Sequence, residues 1–254
     1  MAYKYFLLLF LALSGINLYG QTRTVHVVVA LCDNKNQGIV PVPAGIGNGQ
    51  DAAGNLYWGC GYGVKTFLKK QKDWKLVKQV TQPEEYILER VIFKHTASDT
   101  YLVADAYDGA YIKQTTIDLL DYASGKNKQV IDTGSGQMKA GGDASLICYI
   151  GHNGLMDFRL SGYPARTDEQ QRDIAIFACA SKNYFTGPVK RTGANPLIWT
   201  TNLMCPEAYT LVALLSGWIK KEEPASIREQ VAQAYHQYQK CGIGGARKLF
   251  VTGW

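Results

Sequence analysis

Two residues that are capable of nucleophilic chemistry follow apolar runs in the middle of the chain. His152 comes two residues after the run 146–150, and Cys179 comes two residues after the run 174–177. A thiolate attacks carbonyl carbons and an imidazole transfers protons near neutral pH, so the two together suit acyl transfer. Short apolar runs of this kind are typical of buried strands in a parallel sheet. Because parallel strands end at a common rim, we expect both side chains to lie there.

The elements around these two runs alternate between strands and helices. Further strands are predicted at residues 24–31, 74–80, 86–95, 101–107 and 197–201. Helices are predicted at 56–70, 110–122, 207–221 and 227–240, with a short helix or loop at 183–192. This alternation predicts a three-layer α/β domain, with a mostly parallel sheet and helices on both faces. The strands at 74–80 and 86–95 are expected to form a hairpin at the sheet edge, since a Pro-Glu-Glu turn separates them.

A long loop rich in glycine, proline and asparagine, residues 33–55, follows the first predicted strand. Loops of this length within a compact domain are usually functional or mobile. Because this one leaves the carboxyl end of its strand, we expect it to form a wall of the site.

The two central runs resemble those of the caspase-like (clan CD) cysteine peptidases, which include caspases, legumains, gingipains and separases. In that family an apolar strand ends in a histidine motif and the next apolar strand ends in Ala-Cys, as Ala178-Cys179 does here. The spacing of 27 positions between His152 and Cys179 is short for the family and is closer to its bacterial gingipain- and legumain-type members. The resemblance covers residues 145–218. It implies a caspase-like α/β fold and a cysteine endopeptidase that acts on peptides or proteins without a metal or another cofactor.

The resemblance also implies a role for individual residues. Cys179 would attack a peptide carbonyl to form an acyl-enzyme, and His152 would serve as general base and acid. Backbone N–H groups of Cys179 and of a residue just after the histidine, Asn153 or Gly154, would hold the oxyanion. The pocket for the residue before the cleaved bond would be lined by Trp199, Thr200, Thr201 and Asn202.

Two alternatives to an active peptidase follow from particular residues. Asn153 stands where the family has glycine, and asparagine constrains the backbone more than glycine does. The chain would then be a catalytically inactive caspase-like domain that binds a partner. Alternatively, Cys179 and Cys205 each follow a core strand at the same rim and would form a disulfide, which would abolish the nucleophile and leave a structural domain.

The N-terminus has the form of a secretory signal peptide. Residues 1–20 contain Lys4, the apolar run 6–13 and a small, polar stretch that ends at Gly20. The run is too short for a retained membrane helix. We therefore expect a single exported domain, residues 21–254, that is secreted or periplasmic and has no stable membrane span once the signal is removed.

The charge of the chain argues against nucleic acid as a partner. Removing residues 1–20 takes away Lys4 and no acidic residue, which lowers the formal net charge from +6 to +5. The lysines are scattered, and no arginine-rich stripe with interleaved aromatic residues is present.

The six cysteines lack the paired spacing of a zinc site. Three acids near the predicted rim are expected to be surface or capping residues: Asp105, Asp108 and Glu207.

One further motif has a known catalytic counterpart. Residues 132–135 read Asp-Thr-Gly-Ser, which matches the signature of aspartic peptidases. That chemistry needs two such aspartates sharing a proton. The chain has a single copy within an α/β pattern, so we interpret the motif as a polar glycine turn.

Overall fold

A computed structural model describes residues 22–254 of the chain; the predicted signal peptide, residues 1–20, lies outside them. Within the described part, eight strands form one sheet in the order β10-β9-β8-β7-β1-β4-β3-β2. Their bounds are β1 Arg23–Ala30, β2 Trp74–Glu84, β3 Ile87–His95, β4 Thr100–Tyr107, β7 Leu146–Ile150, β8 Asp173–Phe177, β9 Asn195–Thr200 and β10 Phe250–Val251. Strands β5 (Lys128–Asp132) and β6 (Gln137–Gly141) form a separate hairpin.

The centre of the sheet is parallel and its edges are antiparallel. Strands β4, β1, β7, β8 and β9 run in one direction, whereas β2 and β3 at one edge and β10 at the other pair antiparallel. The central strands are nearly continuous apolar runs because both of their faces are covered. The predicted edge hairpin is present as β2 and β3.

Helices cover both faces of this sheet. Their bounds are α1 Val64–Lys69, α2 Ile112–Ser124, α3 Ser181–Thr192, α4 Ala208–Ile219, α5 Pro224–Gln239 and α6 Ile243–Leu249. Helices α2 and α3 pack in the core on one face, and α1, α4, α5 and α6 pack in the core on the other. The predicted three-layer α/β class is confirmed, and the architecture is compatible with a caspase-like fold. Across residues 22–254, none of the helices combines the length and the apolar character needed to cross a bilayer.

Two predicted helix starts are wrong. The helix expected from residue 56 begins only at Val64, because the preceding residues form tight turns in which a Cβ on Gly59 would lie 1.8 Å from the Ala53 carbonyl oxygen. The last long helix was expected to start at residue 227, but it starts three residues earlier, at Pro224. Proline fits the first turn of a helix, since its missing N–H has no partner there.

The segment between α2 and β7 contains the β5–β6 hairpin. The Asp-Thr-Gly-Ser motif forms its turn, with Gly134 at φ +85°, so the interpretation as a glycine turn is confirmed. Apolar side chains of the hairpin, Ile131 and Met138, pack on Ile92 and Val103 of the sheet. The hairpin thus covers part of the sheet far from the strands that carry His152 and Cys179.

The sheet brings the ends of β7 and β8 side by side. In the register of this parallel pair, Ile150 lies opposite Phe177, the last residue of each strand. Gly151 donates its N–H to the carbonyl of Phe177 at 3.3 Å, which extends the pairing by one step. The loops that carry His152 and Cys179 therefore leave the sheet at adjacent points of one rim.

Candidate active site

His152 and Cys179 line a single cleft of about 440 Å³ at the carboxyl rim of β7 and β8. His152 is buried and Cys179 is half-buried. The structure thus brings together the two residues that the sequence predicts as a dyad. The cleft is closed on one side by the long loop after β1 and on the other by residues 203–206 after β9.

The backbone turns sharply at the nucleophile candidate. Cys179 is followed by Ala180, which adopts φ +46° and ψ 35° and precedes the first residue of α3. A left-handed conformation costs a residue with a Cβ about 1–2 kcal/mol. The Ala180 N–H donates to the carbonyl of Asn202 at 2.9 Å, which holds the strained residue in place. Backbone strain of this kind clusters at functional sites.

Two buried hydroxyls fix the turn from behind. Ser181 donates to the carbonyl of Ile176 at 2.9 Å and accepts the N–H of Thr200 at 2.9 Å. The Thr200 hydroxyl donates to the carbonyl of Ala178 and accepts the Ser181 N–H at 3.1 Å. Thr200, predicted to contact substrate, is buried and instead holds the loop that carries Cys179.

Asn153 ties the histidine loop to the cysteine loop. Its buried side chain donates from Nδ2 to the carbonyl of Cys179 at 2.7 Å and accepts the N–H of Leu155 through Oδ1 at 3.1 Å. Its backbone is extended, at φ −78° and ψ 91°, so the position has no conformational need for glycine. The asparagine that departs from the family pattern therefore sets the separation of the two loops.

His152 has an acidic neighbour that the sequence analysis missed. Its Nε2 lies 2.8 Å from Oδ2 of Asp157, and the same carboxylate accepts the N–H of Gly38 at 2.9 Å. With Nε2–H donating to a carboxylate, the neutral ring presents Nδ1 as an acceptor. Within residues 22–254, no hydrogen bond uses Nδ1 of His152. The ring is oriented on one side and available on the other.

The signal for Asp157 was present but weak. It is a carboxylate five positions after the histidine within the same loop. Its pairing also depends on Gly38 from a distant loop, where an added Cβ would lie 2.4 Å from Asp157 Oδ1. A side chain at position 38 would therefore force the Asp157 carboxylate to move.

The N–H groups predicted to hold an oxyanion lie on the loops that carry His152 and Cys179. They belong to Asn153, Gly154 and Cys179. In the described part of the chain, none of the three donates to a backbone carbonyl. Of these three residues, Cys179 lines the cleft, whereas Asn153 and Gly154 are buried and do not.

The six cysteines are all free, so the structure does not contain the alternative Cys179–Cys205 disulfide. Burial, reinforced by the neighbouring Glu207 carboxylate, raises the pKa of Cys205 to about 12. Burial likewise raises the pKa of Cys32 to about 11. Both thiols are protonated at neutral pH and are poor nucleophiles. Cys179 and Cys205 both line the cleft that His152 lines, but the raised pKa of Cys205 keeps that thiol protonated.

The remaining residues predicted to bind substrate lie beside the cleft and do not line it. Trp199 is buried and donates from Nε1 to the carbonyl of Gly253 at 2.9 Å. Thr201 is exposed and donates to the carbonyl of Lys248 at 2.8 Å. Asn202 contributes its carbonyl to Ala180, as described above. The reason is that β9 continues through Thr200 and is joined by β10, so the cleft wall starts one residue after Asn202.

The wall is formed by the next residues, and one of them touches the nucleophile candidate. The wall residues are Leu203, Met204, Cys205 and Pro206. The Met204 N–H donates to the sulfur of Cys179 at 3.4 Å, and the thiol lies 3.5 Å from the Met204 carbonyl oxygen. This wall therefore adjoins the sulfur itself.

The opposite wall comes from the long loop after β1, as predicted. The loop is held by a network of side-chain hydrogen bonds to its own backbone. Asp33 accepts the N–H groups of Lys35 and Asn36, and Asn55 donates to the carbonyls of Cys32 and Asn48. This network presents the apolar side chains of Ile39, Val40, Val42, Leu56 and Tyr57 to the cleft.

The three acids expected at the surface or at caps take three different positions. Asp108 is a cap as predicted, since it accepts the N–H of Ala110 at 2.9 Å. Glu207 precedes the first residue of α4 but is largely buried. Asp105 is fully buried and paired with Arg90, because it lies at the centre of the sheet in β4.

Comparison of the chain with protein-family models, with curated proteins and with solved structures returns no match.

Proposed function

We propose that this chain is an exported cysteine endopeptidase of the caspase-like type, secreted or periplasmic, that cleaves peptide bonds through an acyl-enzyme. The observation that carries the proposal is the placement of His152. Asp157 orients its ring, Nδ1 has no partner within residues 22–254, and the ring lines the same cleft as Cys179. A nucleophile, a base and a group that orients the base make up the constellation of a catalytic triad.

In the first half of the reaction, the Cys179 thiol transfers its proton to Nδ1 of His152. The thiolate attacks the carbonyl carbon of the substrate and forms the carbon–sulfur bond. Negative charge moves onto the carbonyl oxygen, where the N–H groups of Cys179 and Gly154 stabilise it. His152 then returns the proton to the leaving nitrogen, the carbon–nitrogen bond breaks, and an acyl-enzyme remains.

In the second half, water replaces the departed amine. Nδ1 of His152 removes a proton from this water as it attacks the thioester carbon. The carbon–sulfur bond breaks, the acid product leaves, and the proton returns to the sulfur of Cys179. Asp157 acts throughout as a positioning residue, because it fixes the tautomer of the ring and stabilises the imidazolium.

The proposal is tested by the reactivity of Cys179 in the exported form of the protein. Wild type, Cys179→Ala and His152→Ala are treated with iodoacetamide and with peptidyl acyloxymethyl ketones, and labelling is located by mass spectrometry. We expect rapid labelling at Cys179 in wild type and labelling slower by about 100-fold or more in His152→Ala. Cys241→Ala, which removes an exposed cysteine outside the cleft, is the matched control and should label as wild type does.

Equal labelling rates at Cys179 in wild type and His152→Ala would show that the histidine does not activate the thiol. The chain would then be better described as the partner-binding alternative. A fluorogenic peptide library, incubated with wild type and Cys179→Ala, adds the direct readout of hydrolysis.

A further inference from the structure

The cleft beside Cys179 is apolar on both walls. The described residues that line it include no lysine, arginine, aspartate or glutamate, and His152 is the one imidazole among them. The other lining side chains are aliphatic, aromatic, thiol or thioether groups, together with Gln239. The apolar residues closest to the opening are Val40, Met156 and Leu203.

These rim residues are unusually exposed for their type. The exposed fraction is 86% for Val40, 67% for Leu203 and 41% for Met156. They come from three different segments, the loop after β1, the histidine loop and the segment after β9. Apolar side chains that converge from separate segments on one opening mark a binding site and not a scattered surface.

The nearby carboxylates are already occupied. Asp157 pairs with His152 and accepts the N–H of Gly38. Glu207 is largely buried behind Cys205, accepts a hydrogen bond from Gln239 at 3.2 Å, and does not line the cleft. A lysine or arginine side chain that entered the cleft would therefore lose its water without gaining a partner.

We propose that this cleft takes an apolar side chain from the peptide residue whose carbonyl Cys179 attacks. The inference rests on the proposed function and adds the class of substrate. The wall of residues 203–206 touches the sulfur through Met204, so a side chain bound against that wall is next to the attacked carbonyl. Leucine, methionine and phenylalanine would bury apolar surface there. Lysine, arginine, aspartate and glutamate would lose the hydration of their charge, which costs free energy.

The first test compares substrates that differ only at this residue. Peptidyl fluorogenic amides with leucine, methionine or phenylalanine before the leaving group are compared with those carrying lysine, arginine, aspartate or glutamate. We expect kcat/KM to be higher for the apolar set by about 100-fold. Cleavage that depends on Cys179 but favours a charged residue would overturn the inference and leave the proposed function intact.

The second test introduces a charge at the rim. Leu203→Asp places a carboxylate in the cleft wall, one residue before the Met204 that contacts the sulfur, at a largely exposed position, so the fold should be retained. We expect kcat/KM for leucine substrates to fall, and the ratio of lysine to leucine substrates to rise by about 10-fold or more. Val130→Asp is the matched control, because Val130 is 65% exposed and lies on β5, outside the cleft. An unchanged ratio in Leu203→Asp would contradict the inference.

A binding measurement separates specificity from catalysis. Peptides that end in a leucine, lysine or aspartate carboxylate are titrated into Cys179→Ala and followed by calorimetry. Tighter binding of the leucine peptide supports the apolar cleft even if wild type cleaves nothing, and in that case only the proposed function fails. Equal or tighter binding of a charged peptide overturns the inference by a route that does not involve turnover.

Discussion

Two histidines of this chain pair with aspartates at similar distances, yet their surroundings differ. Nε2 of His26 lies 3.0 Å from Asp105, and Nε2 of His152 lies 2.8 Å from Asp157. The side chains of the first pair are both 0% exposed, whereas those of the second are 6% and 31% exposed. A His–carboxylate pair is thus not by itself evidence of catalysis.

The difference is the second ring nitrogen. Nδ1 of His26 accepts the N–H of Gly141 at 2.9 Å, and the ring stacks on Tyr122 with centroids 4.7 Å apart. Both nitrogens are therefore used inside the core, and the ring cannot exchange protons with a ligand. His152 uses Nε2, has no partner for Nδ1 among the described residues, and lines an open cleft. The first pair is structural, and the second fits a general base.

Replacing each of the two histidines in turn should give the largest difference in activity and stability. His152→Ala should lower kcat/KM by about 10⁴-fold, because the thiol loses its base, while the free energy of unfolding changes by less than about 1 kcal/mol. His26→Ala should do the reverse, with about 3 kcal/mol lost from stability and unchanged labelling of Cys179 in the folded fraction. Urea unfolding and active-site labelling measure the two quantities. A comparable loss of activity per folded molecule in both variants would remove the distinction.

Removing the carboxylate of the buried pair of His26 and Asp105 should give the next largest effect. Asp105 also accepts two hydrogen bonds from Arg90, at 2.6 and 2.7 Å. Asp105→Asn leaves the largely buried Arg90 without its counter-charge, so we expect a loss of about 3–5 kcal/mol at pH 7. Asp157→Asn, at a half-exposed position, is the control and should cost less than about 1 kcal/mol in the same urea titration.

The cost of Asp105→Asn should depend on pH. Burial alone raises the pKa of Asp105, but hydrogen bonds from Arg90 and His26 outweigh burial, and the pKa is lowered. A carboxyl with a lowered folded pKa stabilises the fold fully above its unfolded pKa of about 4 and loses this contribution as pH falls through the folded value. The stability gap between wild type and Asp105→Asn should be constant from about pH 7 to 5 and narrow below about pH 4. A gap that widens on acidification would contradict this assignment.

Asp157→Asn tests the pair of His152 and Asp157 at the cleft. We expect kcat to fall by about 100-fold with little change in KM, because the ring is no longer held in the productive tautomer. Asp157→Glu should recover part of the rate, since it restores the carboxylate. A rise in KM with unchanged kcat would show that Asp157 contributes to binding and not to the position of His152.

The smallest expected effect comes from the loop that supports Asp157. Gly38→Ala places a Cβ 2.4 Å from Asp157 Oδ1, so the carboxylate must shift away from His152. We expect kcat/KM to fall by about 10-fold. Gly45→Ala is the matched control in the same loop, because its Cβ would have no neighbour within 4 Å. Equal activity of the two variants would show that the Gly38 contact does not hold Asp157 in place.

Local sequence patterns were sufficient to predict the central strands of the sheet and the two residues at its rim. Runs of buried apolar residues predicted the strands that become β1, β4, β7, β8 and β9, because a strand covered on both faces has few polar positions. They were not sufficient for the start of α1, where turns at residues 55–63 depend on backbone contacts between neighbouring segments. The cleft wall also lies at other residues than predicted, because β10 pairs with β9. Neither the β9 sequence nor the β10 sequence shows that pairing by itself.

The amino-acid sequence alone determined that a histidine and a cysteine leave two adjacent parallel strands at one rim of a three-layer α/β domain. Only the tertiary structure decided which histidine has a usable nitrogen. The partners of His26 lie 79 and 115 positions away, and the support for Asp157 comes from a glycine 119 positions away. Hydrogen bonds between such distant segments depend on how loops meet in space, so no local pattern of residue types encodes them.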